Sequence, residues 1–331
     1  MIRSSLARLL AGIILGTLAA LAVLHAQQPG GGSIPIDADD IGGVVTGPRG
    51  PEAGVWVIAE TADLPTRFVR IVVTDDRGQY VLPDLPDATY TVWVRGYGLV
   101  DSEKVRATRG AALNLKAVPA PDAHAAAQYF PAGYWFSLLN VPAKHEFPGN
   151  AENGISPNIK SQGEWLRTIK SGTCLACHQL GTRATREIPK ELGVFPTTLA
   201  GWERRIQSGQ AGGSMISGIN GLGPRALREF AAWTDRIGKG EVPPTPPRPQ
   251  GIERNVVITE WDWADSKSYL HDLVSTDRRN PALNANGLLY GALEESADYL
   301  PVLDPVKHTV SRVELTVRDP KTPRRSPDMP M

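Results

Sequence analysis

The sequence predicts a multidomain protein: an all-β sandwich over residues 41–119, an all-α domain over 160–240 and a short β-rich segment over 251–331. Three observations carry that expectation. Short runs of β-branched and aromatic residues, parted by turn residues, begin at Ile41. The apolar spacing turns helical from Ser161. A Pro-rich run, Val242-Pro243-Pro244-Thr245-Pro246-Pro247-Arg248-Pro249, then reads as a stiff linker over 241–250. At 331 residues the chain is long enough for two or three cores. Lys+Arg and Asp+Glu are both 35, and no basic run is interleaved with aromatics, so nucleic acid is excluded as a partner.

The N-terminus reads as an export signal over residues 1–26. Arg3 and Arg8 are the positive region, 9–23 is the apolar run, and Leu24-His25-Ala26 is the cleavage site. The apolar run is short for a membrane span of about 20 residues, which disfavours an uncleaved anchor. Residues 27–40 are Gly-rich and then acidic, a flexible leader.

Strand signals fall at 44–45, 55–59, 68–74, 80–82, 90–94 and 113–118. Asp75-Asp76-Arg77-Gly78 is a hairpin-type turn, since Asp and Gly tolerate backbone angles that other residues avoid. The stretch from Asp75 through Gly78, Tyr80, Leu82-Pro83, Leu85-Pro86 and Tyr90 resembles the carboxypeptidase regulatory-like family. That resemblance implies a transthyretin-like sandwich within a carbohydrate-binding-like fold. Trp56, Tyr90, Trp93 and Tyr97 are candidates for a sugar platform, and equally for core or interface positions. Residues 120–159 hold Tyr129-Phe130-Pro131 and Tyr134-Trp135-Phe136, too apolar for a free linker, and read as a connector packed across its neighbours.

Cys174-Leu175-Ala176-Cys177-His178 contains both cysteines of the chain. Two thiols at this spacing can add across the vinyl groups of one haem, and the next residue is then placed to bind the iron. A zinc site would need further Cys or His ligands at matching spacing, and a redox dithiol would need a βαβ context. Cys174 and Cys177 are therefore the candidate covalent attachment points of haem c, and His178 the proximal iron ligand.

Around this motif, Trp165 and Ile169 share one helical face. A second helix is expected over 198–208, and a third opens at Pro224 and stops near Gly238, with Leu227, Phe230, Trp233 and Ile237 as its stripe. Helix, haem motif, helix, ligand loop, helix resembles the class I cytochrome c family over 160–240. The resemblance implies an axial methionine in the loop before the third helix. Of four methionines, Met1 leaves with the signal and Met329 and Met331 lie in a Pro-rich tail, which leaves Met215, in Gly212-Gly213-Ser214-Met215. His124, His145, His271 and His308 remain alternatives for the sixth position. Arg183, Arg186, Arg204 and Arg205 are candidate partners of haem carboxylates or plain surface charges.

Beyond the Pro-rich run, strands are expected at 255–261, 288–291 and 310–317. From Trp261 on, the chain resembles the start of a β-propeller, which needs several four-stranded blades, so 251–331 reads as an incomplete one. Three functions stay open. The first is a periplasmic c-type cytochrome passing single electrons to periplasmic redox partner proteins. The second is the electron-acceptor domain of a dehydrogenase with a propeller partner. The third is an exported module that binds polysaccharide or a cell-envelope protein through the sandwich, with haem as sensor. No Ser-His-Asp set, nucleophile elbow or phosphate loop points to independent catalysis.

Overall fold

The computed structural model describes residues 35–172, 174–177, 179–209, 212–263, 270–274, 279–280, 282–293, 298–316, 319 and 321. The expected export signal and most of the leader lie outside them. Among the described residues, no helix is long and apolar enough to cross a membrane.

Two five-stranded sheets dominate the first half. In one, β1 (Ile41–Gly47) is the hub: it pairs antiparallel with β2 (Gly50–Pro51) and β5 (Gln79–Leu82), and parallel with β9 (Ala111–Ala112) and β10 (Leu115–Lys116). The other is antiparallel. Its members are β3 (Trp56–Thr61), β4 (Phe68–Val73), β6 (Thr89–Arg95), β8 (Val105–Thr108) and β12 (Ile258–Trp261), in the order β12-β4-β3-β6-β8. Ile41 and Val45 from the first sheet share one core with Val57, Phe68, Tyr90 and Val92 from the second. The two strands β7 (Leu99–Val100) and β11 (Val118–Pro119) close a side ribbon.

Local chemistry sets the turns. The Asp75 carboxylate accepts from the backbone N–H groups of Arg77 (2.8 Å) and Gln79 (2.7 Å), and Gly78 takes φ +71°. This Asx turn places β5 against β1. The Tyr90 hydroxyl donates to the Pro86 carbonyl at 2.8 Å, which anchors the approach to β6.

The C-terminal segment begins by completing the sandwich sheet. Strand β12 lies antiparallel to β4, with Trp261 opposite Phe68. Strands β13 (Leu270–Val274), β14 (Leu289–Leu293), β15 (Tyr299–Asp304) and β16 (Thr309–Glu314) then form a separate antiparallel sheet in that order.

Helices gather between these β regions, and here the expected fold class is overturned. The chain is β-rich, and among the described residues of 160–240 the helices do not form a separate all-α class I cytochrome c domain. The helix Gln162–Arg167 starts cleanly, with Ser161 accepting from Glu164 N–H at 3.2 Å. It then widens into a π turn over Thr168–Gly172. The helix holding the cysteines, Cys174–Cys177, and the next, Arg183–Arg186, are four residues each. Longer ones follow at Thr198–Arg205, Gly212–Leu222 and Pro224–Gly238. Their core is not their own. Trp135, Leu139, Ile155 and Ile159, from the expected connector, are buried in the same cluster as Trp165, Ile169, Trp202, Phe230 and Trp233.

The bonds say the same. Trp233 Nε1 donates to the Trp135 carbonyl at 2.9 Å, and Trp135 Nε1 to the Ala127 carbonyl at 3.1 Å. Trp202 stacks on Phe230, ring centroids 5.0 Å apart. An apolar stripe on a short helix needs a partner surface to hold it, and the connector contributes much of that surface.

Candidate functional site

The Cys-x-x-Cys pair occupies a single helical turn that follows the π turn directly. Trp165 and Ile169, both fully buried, fasten the elements leading into it to the helical core. Cys174 is half-buried and, with Leu175, packs against that core. Cys177 holds the last position of the turn, and His178 lies outside the described residues. Past the motif, Gly181 has φ +100°, and a Cβ there would overlap the Ala132 carbonyl oxygen. The exit from the motif therefore lies against the connector at van der Waals distance, an approach only glycine permits.

Met215 sits on the helix Gly212–Leu222 and not in the expected loop. Glycine-rich sequence reads as loop because each helical glycine costs about 1 kcal/mol relative to alanine. Burial of Gly218, Ile219 and Leu222 on one side of this helix offsets that cost. The helix packs on the π turn that precedes the cysteines, and Met215 is half-buried on it. The methionine-bearing helix and the entry to the cysteine turn are thus neighbours.

The histidines are distributed differently. His124 and His145 are exposed, on the connector. His271 lies in β13. His308, in the turn between β15 and β16, touches the sandwich sheet: its Nδ1 accepts from Trp261 Nε1 at 3.1 Å, and its ring meets Phe68 edge-on at 5.0 Å. Burial first, then the charge of Arg70, holds its pKa below the ordinary value, against the opposing pull of Asp304.

A buried polar atom marks the interior near the motif. Trp165 Nε1 has no hydrogen-bond partner among the described residues, although the residue is fully buried. An indole N–H usually finds an acceptor when buried. Cys174 packs against the same core that holds this donor, and the thioether of Met215 sits on a helix that neighbours the π turn.

The candidate arginines separate cleanly. Arg183 is exposed and pairs with Glu187 at 3.1 Å. Arg204 donates to Ser208 Oγ at 2.8 Å. Arg205 lies over Trp202, 5.0 Å from the ring centroid, and donates to the Glu187 carbonyl at 2.8 Å. Arg186 alone of the four is buried. Its guanidinium sits 3.9 Å from the Trp135 ring centroid and lines a cleft that the sequence does not signal.

The aromatics of the sandwich do not line up as an exposed platform. Tyr90 is fully buried, Trp93 is buried under Lys104, and Trp56 meets Tyr97 edge-on at 4.9 Å. Tyr97 in turn meets Phe130 of the connector at 5.7 Å.

No protein-family model matches the chain, and no curated protein matches it. With the β-rich architecture and the shared helical core, this overturns the expected membership: the resemblances to the carboxypeptidase regulatory-like family, to the class I cytochromes c and to a propeller blade are not sustained.

Proposed function

We propose that this chain is an exported c-type cytochrome that carries single electrons in the periplasm. The observation behind the proposal is Cys174-Leu175-Ala176-Cys177-His178, with both cysteines in one helical turn of which Cys174 and Leu175 pack on a buried core. Cys174 and Cys177 hold one haem covalently, and His178 is its proximal ligand. Met215, on the helix packed against the entry to the turn, is the distal ligand. A haem so held supplies a reversible ferric–ferrous couple.

The chain's own residues set the environment. Trp165 and Ile169 exclude water behind the turn, and Gly181 fixes where the chain leaves the motif. Thioether ligation raises the potential relative to two histidines. Export follows from the apolar run at 9–23 and the Leu24-His25-Ala26 site. Its partners in this reading are periplasmic redox proteins.

The test is the absorption spectrum of the exported protein, oxidised and reduced, with and without carbon monoxide, beside Met215→Ala. Haem that stays on the denatured chain, a weak long-wavelength ferric band lost in Met215→Ala, and indifference to carbon monoxide are expected. An unchanged Met215→Ala spectrum would remove the methionine, and a chain that emerges without bound haem would end the proposal.

A further inference from the structure

Arg186 is a buried cation that forms no ion pair among the described residues, although the charge of Glu187 acts on it. It is 5% exposed, and the one hydrogen bond its guanidinium makes among the described residues runs from Nη1 to the Gly181 carbonyl, at 2.8 Å. Nε is buried and has no partner. The neighbouring carboxylate, Glu187, is engaged with Arg183 at 3.1 Å. Burial draws the Arg186 pKa below the ordinary arginine value. Taking a guanidinium out of water costs several kcal/mol unless hydrogen bonds and an opposite charge offset it. The face of Trp135 offsets part of this.

The unused side of the group is specific. With Nη1 committed to Gly181, no hydrogen bond among the described residues uses the edge formed by Nε and Nη2, and that edge carries two parallel N–H donors at carboxylate spacing. Arg186 lines a cleft of about 530 Å³, a volume in the range of small-molecule sites, together with Trp135, Ile188 and Ile237, and the charged residues Glu187, Asp235 and Lys239 line it too, Glu187 paired with Arg183 and Asp235 with the Thr198 hydroxyl. The hydroxyls that also line the cleft are occupied. Thr198 Oγ1 donates to Asp235 Oδ1 at 2.5 Å; Thr234 Oγ1 accepts from Trp202 Nε1 and donates to the Arg186 carbonyl, both at 3.0 Å. Neither Cys174 nor Met215 is among the described residues that line the cleft.

We propose that this cleft is a binding site for a small organic carboxylate, held end-on by the Nε/Nη2 edge of Arg186 with its apolar body against Trp135, Ile188 and Ile237. The site stands independently of the haem reading: an under-bonded guanidinium, the indole it covers and a cleft that both line occur together.

Benzoate is the probe, titrated calorimetrically into the exported full-length chain. Saturable one-to-one binding is expected. Arg186→Lys, which keeps the charge and loses the fork, should weaken it about 10- to 100-fold, as expected for losing a charge-assisted pair. Ile188→Trp leaves the guanidinium and its Gly181 bond in place and should block binding by filling the cleft, with the thermal midpoint unchanged. The absence of saturable binding to the wild-type chain would overturn the proposal. So would binding that both variants leave intact. A third overturning result is indifference to benzoate together with a shift of the haem midpoint potential in Arg186→Lys, which would assign the guanidinium to the haem pocket. A chain without attached haem would end the electron-transfer proposal and leave the titration fully readable.

Discussion

Two buried tryptophans of the helical core should respond in opposite ways to the same substitution. Trp233 and Trp165 are both fully buried. Trp233 Nε1 donates to the Trp135 carbonyl at 2.9 Å, whereas Trp165 Nε1 has no partner among the described residues. Replacing either by Phe removes about two buried ring carbons, worth roughly 1.5 kcal/mol at about 0.8 kcal/mol per carbon. Trp233→Phe also loses a hydrogen bond worth about 1 kcal/mol net. The Trp135 carbonyl still accepts from Leu138 N–H at 3.2 Å, so no orphaned acceptor adds to the cost. The total is about 2–3 kcal/mol. Trp165→Phe loses the same packing but removes an unsatisfied donor whose burial costs about 1–3 kcal/mol, so its net effect runs from about 0.5 kcal/mol destabilising to about 1.5 kcal/mol stabilising. The expected difference of at least about 2 kcal/mol displaces the urea midpoint by roughly 0.7 M or more, for a slope near 3 kcal/mol/M. Far-ultraviolet circular dichroism follows unfolding without relying on tryptophan emission. Equal midpoints for the two variants, or a lower one for Trp165→Phe, would refute the assignment of the connector as the partner that stabilises the long helix.

Other perturbations have equally definite outcomes. Burial, then the charge of Arg70, lowers the His308 pKa, so this group contributes stability that is full above the ordinary value of 6.5 and lost as pH falls through the lower folded value. Thermal midpoints should therefore drop on acidification, and His308→Phe should flatten that dependence. Asp75→Ala removes the acceptor of two backbone N–H groups and should cost about 1–2 kcal/mol, read as a lower denaturation midpoint. Gly181→Ala should lower both stability and the yield of haem-bearing protein, since a Cβ at φ +100° meets the Ala132 carbonyl; an unchanged yield would show that the exit from the motif tolerates displacement.

The strands were legible where chemistry is local. Phe68–Val73 and Thr89–Arg95 are dense in β-branched and aromatic residues, and Asp75 with Gly78 announces the turn between β4 and β5. The helix Pro224–Gly238 was equally readable, because its proline and its apolar stripe point to one register. What sequence could not supply is pairing at a distance. Nothing near Trp261 says that β12 will lie beside β4, opposite Phe68, because an edge strand is chosen by the surface left open elsewhere. Met215 was misplaced for a related reason: two adjacent glycines argue for a loop, and only tertiary burial of Gly218, Ile219 and Leu222 makes the helix worthwhile. The expected all-α domain failed likewise, since periodicity locates an apolar face without saying which segment covers it. Of the site, the thiols were plain in the sequence, while the isolation of Arg186 beside Trp135 depends on atoms 51 positions apart in the chain.

The Pro-rich run shows how one anchored side chain changes the meaning of a segment. Read from composition, 241–250 is a stiff spacer that holds two bodies apart. In the fold, Pro243 and Pro246 are buried, and Arg248 fastens the run to the sandwich. Its Nε donates to the Tyr97 carbonyl at 3.1 Å, and its Nη1 to Glu52 Oε1 at 2.6 Å and to the Ala53 carbonyl at 3.2 Å. Proline suits such a strap because it has no N–H to satisfy and its fixed φ leaves little backbone entropy to lose. The partly buried Arg248–Glu52 pair then supplies the direction that proline lacks. The route it sets leads to β12, which closes the open edge at β4. Arg248→Ala should therefore loosen β12 as well as the strap, seen as faster amide exchange across Ile258–Trp261; exchange confined to 241–250 would show that β12 holds its place by sheet pairing without the clamp.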